Sequence, residues 1–371
     1  MSGVEAQAEM LFNRLRKRFS HLRKWAARTG AGAYRLYDRD IPEIPLVLDF
    51  YSNDEVKAVS GALYKRPYEK DEGEEESWLS AMTAAAAEAL NVNTQNIFLK
   101  VRRRQRHRLP GNENKFDTQY QKEDGAAFEM VIKENGLSFI VNLSGYIDTG
   151  IFPDLRLLRK MVMAEASGKT VLNLFCYTGS FSVYAAAGGA RRVDSVDMSS
   201  TYLKWALRNC ALNNVRTSPA RADVFRFLDE AAASGRRWDM IVADPPVFSN
   251  SKKMKGGPLG GVFDIKHDYQ YLLSKCLALL NGGGRLFFCA RQRVLHPLRG
   301  SVAQASLRQH PLRVNTLKFR AREFGFQAGD LRDTFEGVGA EKNISVRDIT
   351  ERVRDEDFRG KRMPVCYLIT K

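Results

Sequence analysis

The sequence predicts an α/β protein, a parallel sheet alternating with helices, preceded by a smaller α+β extension. Three observations predict it. From about residue 150 onward, short apolar runs alternate with segments of helical period, which implies a parallel sheet with helices on both faces. One run, Val171-Leu-Asn-Leu-Phe175, breaks abruptly into Cys176-Tyr-Thr-Gly-Ser180 and then a helical stretch, a strand–turn–helix unit. Upstream, Asn135-Gly136 separates two alternating runs, a strong hairpin signal.

The elements follow in order. Residues 7–28 read as a basic helix, with Leu11, Leu15, Phe19, Leu22 and Trp25 or Ala26 at helical spacing. Its charges either face water around a docking helix or face RNA. Tyr34-Arg-Leu-Tyr37 and Pro45–Tyr51 read as strands, Glu69–Ser77 as an exposed acidic loop, and Trp78–Leu90 as a helix. Ile97–Val101 is a strand running into Arg102-Arg103-Arg104, and residues 105–125 read as a mobile basic loop. The hairpin pairs Phe128–Lys133 with Leu137–Leu143. Helices at 154–166, 180–187, 200–213, 224–233 and 264–280 then alternate with strands at 170–175, 192–197, 219–222, 238–243 and 285–289. Asn281-Gly-Gly-Gly284 leads into the last strand. The organisation expected is a basic helix (1–30), a small α+β domain binding RNA (31–135) and a larger α/β domain (136–371), with an insertion near 291–325.

Bulk properties narrow the class. The 371 residues are 44% hydrophobic, enough for a sizeable core. No stretch approaches the roughly 18 apolar residues of a membrane helix. The basic N-terminus has no apolar core, so no secretory signal is expected. Five scattered cysteines (Cys176, Cys210, Cys276, Cys289, Cys366) form no C-x-x-C pair, which suggests a reducing cytoplasm, no disulfide frame and no metal site. The formal net charge of +15 points to a polyanionic partner, most often nucleic acid. The charge is clustered: seven basic and no acidic residues in 14–28, six basic in 100–108, ten basic and no acidic in 269–322.

Chemistry concentrates at predicted strand ends. Gly179 lets a ligand approach the backbone. The turn has neither G-x-G-x-x-G nor G-K-[ST] spacing, so the expected ligand carries adenosine without a phosphate chain, and S-adenosylmethionine fits. Asp197, 18 residues after Gly179, ends the second strand, where a carboxylate accepts ribose hydroxyls; it could equally cap the next helix. Asp223 could accept from the adenine amine, cap its helix, or do both. Asp244-Pro245-Pro246-Val247-Phe248 makes a rigid turn after an apolar strand. An acid-Pro-Pro-aromatic turn resembles the catalytic loop of methyltransferases acting on nitrogen of a planar base, with the aromatic ring stacked on the base. Ser249–Met254, including Lys252 and Lys253, offers groups for a target phosphate, or is a plain loop. Cys289 is either a nucleophile for cytosine C5 or a small buried side chain.

Together these motifs resemble a known family. Asn173–Ser180, Gly188-Gly-Ala-Arg191, Val196-Asp-Met198-Ser199, Tyr202-Leu-x-Trp205 and Asp244–Ser251 look like the guanine-N7 methyltransferase domain of the ribosomal large-subunit methyltransferases K/L. The match continues in Asn142–Tyr146, Asp148–Phe152, Asp154-x-Arg156, Asn13-Arg-Leu15, Lys24-Trp-Ala26, Tyr34–Asp38, Asp357-Phe358 and Cys366–Ile369. The chain resembles one half of a fused enzyme, free-standing. The resemblance implies a class I, Rossmann-like fold, S-adenosylmethionine as donor and 23S rRNA guanine N7 as acceptor. It assigns Asn173, Tyr177, Thr178, Gly179, Ser180, Asp197, Met198, Asp223 and Asp244 to the cofactor. Thr149, Gly150, Phe152, Asp154 and Arg156 would enclose its methionine end. After Phe288 the chain departs from the family, with Cys289-Ala-Arg-Gln-Arg293 and about 30 extra residues, on base rates a surface insertion. The alternatives are cytosine-C5 transfer by Cys289, transfer to an exocyclic amine, and a non-catalytic RNA-binding protein.

Overall fold

The computed structural model describes residues 3–64, 71–101, 127–146, 148–247, 263–291 and 344–371. They gather into two compact units, neither continuous in sequence. The first comprises Met1–Met161, Lys204–Val215 and Arg354–Met363; the second Val162–Leu203, Arg216–Val353 and Pro364–Lys371. The 135/136 boundary expected from sequence lies at a hairpin turn in the first unit.

The first unit opens with α1 (Gly3–Thr29), whose Leu11, Leu15, Leu22, Trp25 and Ala26 are buried. These residues join the core of a four-stranded sheet ordered β1 (Ala33–Asp38), β2 (Leu46–Ser52), β3 (Lys57–Leu63), β4 (Ile97–Val101). Its first two pairings are antiparallel and the last parallel, because α2 (Glu72–Leu90) crosses over between β3 and β4. The acidic stretch expected as a loop is the start of α2. Asp71 caps it by accepting from the Glu74 amide, and acidic residues suit the positive end of a helix. The hairpin is as expected. β5 (Glu129–Glu134) pairs with β6 (Leu137–Asn142), and Asn135 and Gly136 both take positive φ, 50° and 82°.

Near the end of this unit, α3 (Arg156–Glu165) begins inside a buried ionic cluster. The Arg156 guanidinium donates from Nη1 to Asp355 at 2.8 Å and Asp357 at 3.2 Å, and from Nη2 to the Ala33 carbonyl. It also lies 5.1 Å from the centre of the Trp25 ring. Glu134 takes a bidentate fork from Arg159 at 2.8 and 2.9 Å. Arg156, Glu134 and Asp357 are at most 1% exposed. Inside this cluster Arg156, which the resemblance places at the methionine end of the cofactor, ties sequence-distant segments together.

The second unit is the expected α/β layer, with a mixed edge. Its strands are β7 (Thr170–Leu174), β8 (Arg192–Asp197), β9 (Ser218–Arg221), β10 (Trp238–Ala243), β11 (Leu280–Ala290), β12 (Ser345–Asp348) and β13 (Val365–Thr370). They are ordered β12-β13-β11-β10-β7-β8-β9. Pairings from β11 through β9 are parallel; β13 runs antiparallel to both β11 and β12. Its helices are α4 (Ser180–Ala187), α6 (Val224–Ala233) and α7 (Ile265–Leu279); of α5 (Ser200–Leu212), residues from Lys204 on belong to the first unit. Phe225 and Leu228 of α6 and Leu272 and Leu273 of α7 pack with Leu172, Ile241 and Leu286 of the sheet. Asn281–Gly284, expected as a connection, lies within β11. It is absorbed by a register shift between the pairs Trp238↔Leu280 and Met240↔Arg285. The expected insertion near 291–325 falls almost wholly outside the described residues.

Two outcomes follow from the ionic cluster. Arg156→Ala leaves Asp355 and Asp357 without their guanidinium, and denaturant unfolding should show a loss of about 3–5 kcal/mol. Asp357 is pushed up to about 6 because desolvation outweighs the nearby Arg156 charge. The folded state therefore holds a proton that the unfolded chain has released. This contribution to stability is complete below the ordinary carboxylate range and is lost as pH rises through about 6. Unfolding free energies measured from pH 4 to 7 should show that decline, and Asp357→Asn should flatten it.

Candidate active site

The order β10-β7-β8 makes β7 a switch point: the chain steps outward through β8 and β9, then returns to the other side of β7 with β10. In open α/β sheets ligands bind at the C-terminal strand ends beside such a point. The register aligns those ends, with Leu174 paired to both Ala243 and Val196, and Asp197 to Arg221. The turns beginning at Phe175, Asp197, Ala222 and Asp244 thus emerge on one side of the sheet.

The first turn is unusual in its backbone. Phe175, Tyr177 and Gly179 have φ of 53°, 50° and 76°. Gly179 takes this freely, but two aromatic residues do not, and strain of this kind persists only where surroundings enforce it. Phe175 packs 5.7 Å from Phe263, Tyr177 meets Tyr202 edge-on at 4.5 Å, and the Cys176 amide donates to the Val196 carbonyl at 3.0 Å. Asp197 completes the hold: Oδ2 accepts from the Tyr177 amide at 3.0 Å and Oδ1 from the Ser199 amide at 2.8 Å. With the Met198 amide these are three backbone donors on four lone pairs, so one acceptor position remains for a hydroxyl. Burial pushes the Asp197 carboxyl up, because desolvation outweighs the donors from Ser199, Tyr177 and Met198.

Asp223 caps α6 through Oδ1, which accepts from Phe225 at 2.9 Å and Arg226 at 3.1 Å. Its Oδ2 is buried and has no hydrogen-bond partner among the described residues. An unsatisfied buried acceptor costs about 1–3 kcal/mol, a deficit that the exocyclic amine of adenine would relieve. The two readings of Asp223 are therefore compatible: one oxygen caps and the other is vacant. This vacancy, the Asp197 carboxylate and the Gly179 turn fit an adenosine.

Asp244 follows β10 and is half-buried, with Pro245 buried and Pro246 and Val247 half-buried. The Val247 carbonyl accepts from Ile265 at 3.0 Å, pinning the turn to the start of α7. Arg291, just past β11, places Nη2 3.4 Å from Asp244 Oδ2. Sequence reading singled out its stretch only as a departure from the family; parallel pairing of β10 and β11 is what sets it beside Asp244. Phe248, Lys252, Lys253, Arg102, Arg103 and Arg104 lie outside the described residues.

Other expected contacts sit elsewhere. Asn173 is buried and donates to Ser182 Oγ at 2.8 Å, which meets Ser195 Oγ at 2.7 Å. This amide–hydroxyl chain fastens α4 to β7 and β8. Thr178 is buried, while Ser180 opens α4 and Met198 packs against the core. In the first unit, Thr149 Oγ1 bonds the Tyr51 hydroxyl at 2.8 Å, and Phe152 and Asp154 are half-buried. Gly150 has φ 104°, and a Cβ there would lie 2.4 Å from the Trp205 ring. Cys289 is fully buried with Sγ 3.5 Å from Cys366 Sγ. The hydrogen bond with Cys366 and burial raise its thiol well above the ordinary range. Such a thiol is a poor nucleophile.

Among the described residues no group of three or more His, Cys, Asp or Glu could hold a metal ion, and no helix is long and apolar enough to cross a membrane.

Residues 62–309 match the model of the S-adenosylmethionine-dependent methyltransferase family. The chain is 38% identical over 361 residues to the ribosomal RNA large subunit methyltransferase K of Neisseria meningitidis serogroup B, covering 96% of this chain and 86% of that one. It is 42% identical over 290 residues to the ribosomal RNA large subunit methyltransferase K/L of Methylococcus capsulatus, covering 77% of this chain and 37% of that longer protein. In fold it resembles a methyltransferase solved with SAH, with a TM-score of 0.67 and 20% identity over 98% of this chain and 82% of that one. A methyltransferase structure from Streptococcus mutans gives the same TM-score at 21% identity, covering 98% and 81%. The chain belongs to the S-adenosylmethionine-dependent methyltransferases, in the family of the ribosomal RNA large subunit methyltransferases K and K/L, and S-adenosylmethionine is its methyl donor.

Proposed function

We propose that this chain methylates guanine N7 in the 23S RNA of the large ribosomal subunit, in the cytoplasm, by direct in-line transfer without a general base. The observation that carries the reading is the Asp244-Pro245-Pro246 turn, whose strand ends beside the Gly179 turn at the switch point. The names of the relatives supply the acceptor class, large-subunit ribosomal RNA.

S-adenosylmethionine supplies an electrophilic methyl group on a sulfonium. Guanine N7 presents an in-plane lone pair and loses no proton on attack, so the work left to the chain is orientation. Aligned reactants gain an effective molarity of about 10⁵–10⁸ M. In this reading Asp197 receives the ribose hydroxyls, Asp223 Oδ2 the adenine amine, and the Gly179 turn the close approach of the ligand. Asp244 and the Pro245 carbonyl hold the edge of the base, Pro246 keeps the turn rigid, and Phe248 stacks on the ring. The Asp244 carboxylate also offsets positive charge developing on the base. N7 is occluded in the deep, narrow groove of an RNA helix, so the target is flipped out or lies in an opened segment. Burial of Cys289 weighs against the cytosine-C5 alternative.

Three measurements test this. Labelled methyl transferred to unmodified 23S rRNA, followed by borohydride and aniline, should give cleavage at one guanine; label without cleavage would refute N7. Asp244→Asn should lower kcat by about 10²-fold or more, whereas Cys289→Ala should stay within a few-fold of the parent. Asp223→Asn keeps an oxygen to cap α6 but replaces the vacant acceptor with a donor. Calorimetry should show about tenfold weaker S-adenosylmethionine binding with an unchanged melting temperature.

A further inference from the structure

The cations of α1 fall into two classes. On the flanks of its buried face they are consumed: Arg14 pairs with Asp40 at 2.7 Å, Arg18 donates to the Asp357 carbonyl, and His21 meets Glu356 at 2.9 Å. On the outer face Arg16, Lys17, Arg23, Lys24 and Arg28 are exposed and have no ion-pair or hydrogen-bond partner among the described residues. The acids of the helix, Glu5 and Glu9, lie ahead of this stretch, and no acid occurs within it.

Helical geometry sorts these five into two rows. Seven residues make nearly two turns, so positions seven apart share a face and stand about 10 Å apart along the axis. Arg16 and Arg23 form one row; Lys17 and Lys24, continued by Arg28, form the other. Between them runs a crest of exposed Asn13, Ser20 and Ala27, also seven apart, none acidic and none bulky. A helix with one row of cations suits a single phosphate chain. A helix with a row on each flank and a low crest suits two. The buried Leu11, Leu15, Leu22 and Trp25 fix α1 against its unit, so the rows are held in place without a ligand.

We propose that the outer face of α1 straddles a double-stranded RNA stem, one cationic row on the phosphates of each strand. This rests on the reading of the chain as an RNA methyltransferase and names the part of the substrate that it grips apart from the target base. The contacts are to phosphate, so they carry position and affinity but no base sequence.

The test is binding of the full chain to a short RNA stem, and to a single strand of the same length, across a range of salt. The stem should bind about tenfold or more tightly than the single strand. Arg16→Gln with Arg23→Gln, and separately Lys17→Gln, Lys24→Gln and Arg28→Gln together, should each abolish that preference. Each set should lower the log–log salt slope by about one per contact removed, with circular dichroism and S-adenosylmethionine affinity unchanged. Wild-type stem affinity and salt slope in both sets, or equal binding of stem and single strand by the parent, would overturn the proposal. So would tighter binding to anionic phospholipid vesicles than to RNA with the same residue dependence. Methyl transfer is not read, so failure of the guanine-N7 reading and failure of this one give different results.

Discussion

The carboxylate of Asp197 joins two strand ends that carry the site. Without its bond to the Tyr177 amide, a turn with left-handed Phe175 and Tyr177 would relax toward ordinary backbone geometry. Aromatic packing on Phe263 and Tyr202 opposes that relaxation from the outside, and the carboxylate opposes it from within. Three backbone donors, from Ser199, Tyr177 and Met198, share its two oxygens and leave one acceptor position over. Asp223 divides its labour differently, with one oxygen holding a helix start and the other left vacant.

Burial of charge serves a different purpose in the first unit. Arg156 gathers Asp355 and Asp357, more than 190 residues away in sequence, against Trp25 and the start of β1. A hydrophobic contact could bury as much area, but it would not select these partners so narrowly. Desolvation of a guanidinium and several carboxylates is tolerable only if every member finds its counter-charge. The arrangement ties the stretch near residue 356 to α1 and β1, and the unit is discontinuous in sequence for that reason.

Most of the fold was legible because it is written in local periodicity. The hairpin at Asn135-Gly136, α1, and the alternation from β7 to β11 each follow from spacing that no tertiary contact needs to correct. What was not legible depends on partners far along the chain. Arg156 sits in a family motif, yet nothing nearby in sequence shows that its donors go to Asp355 and Asp357. Nor does the sequence near Asn173 show that its amide reaches Ser182 and, through it, Ser195. The acids at 74–76 read as solvated loop because their charge masks a helix start whose cap is Asp71. At the site, Asp197, Asp223 and Asp244 were visible as acids at strand ends. Arg291 was not visible as a partner, because only the pairing of β10 with β11 brings it to Asp244.

That last pair bears on the choice among acceptors. A base that must lose a proton, such as an exocyclic amine, needs a group with an available lone pair to take it. The Arg291 guanidinium, 3.4 Å from Asp244 Oδ2, approaches one oxygen of that carboxylate only, so the amine reading is left to the transfer assay. A cytosine acceptor needs a thiolate, and the raised, fully buried Cys289 does not offer one. Guanine N7 asks for neither. It needs a rigid edge to lie against and a negative charge near the ring as the methyl arrives, and an ion-paired aspartate before two prolines suits that limited demand. The sparse chemistry of the turn is thus an argument for the acceptor that requires least of it.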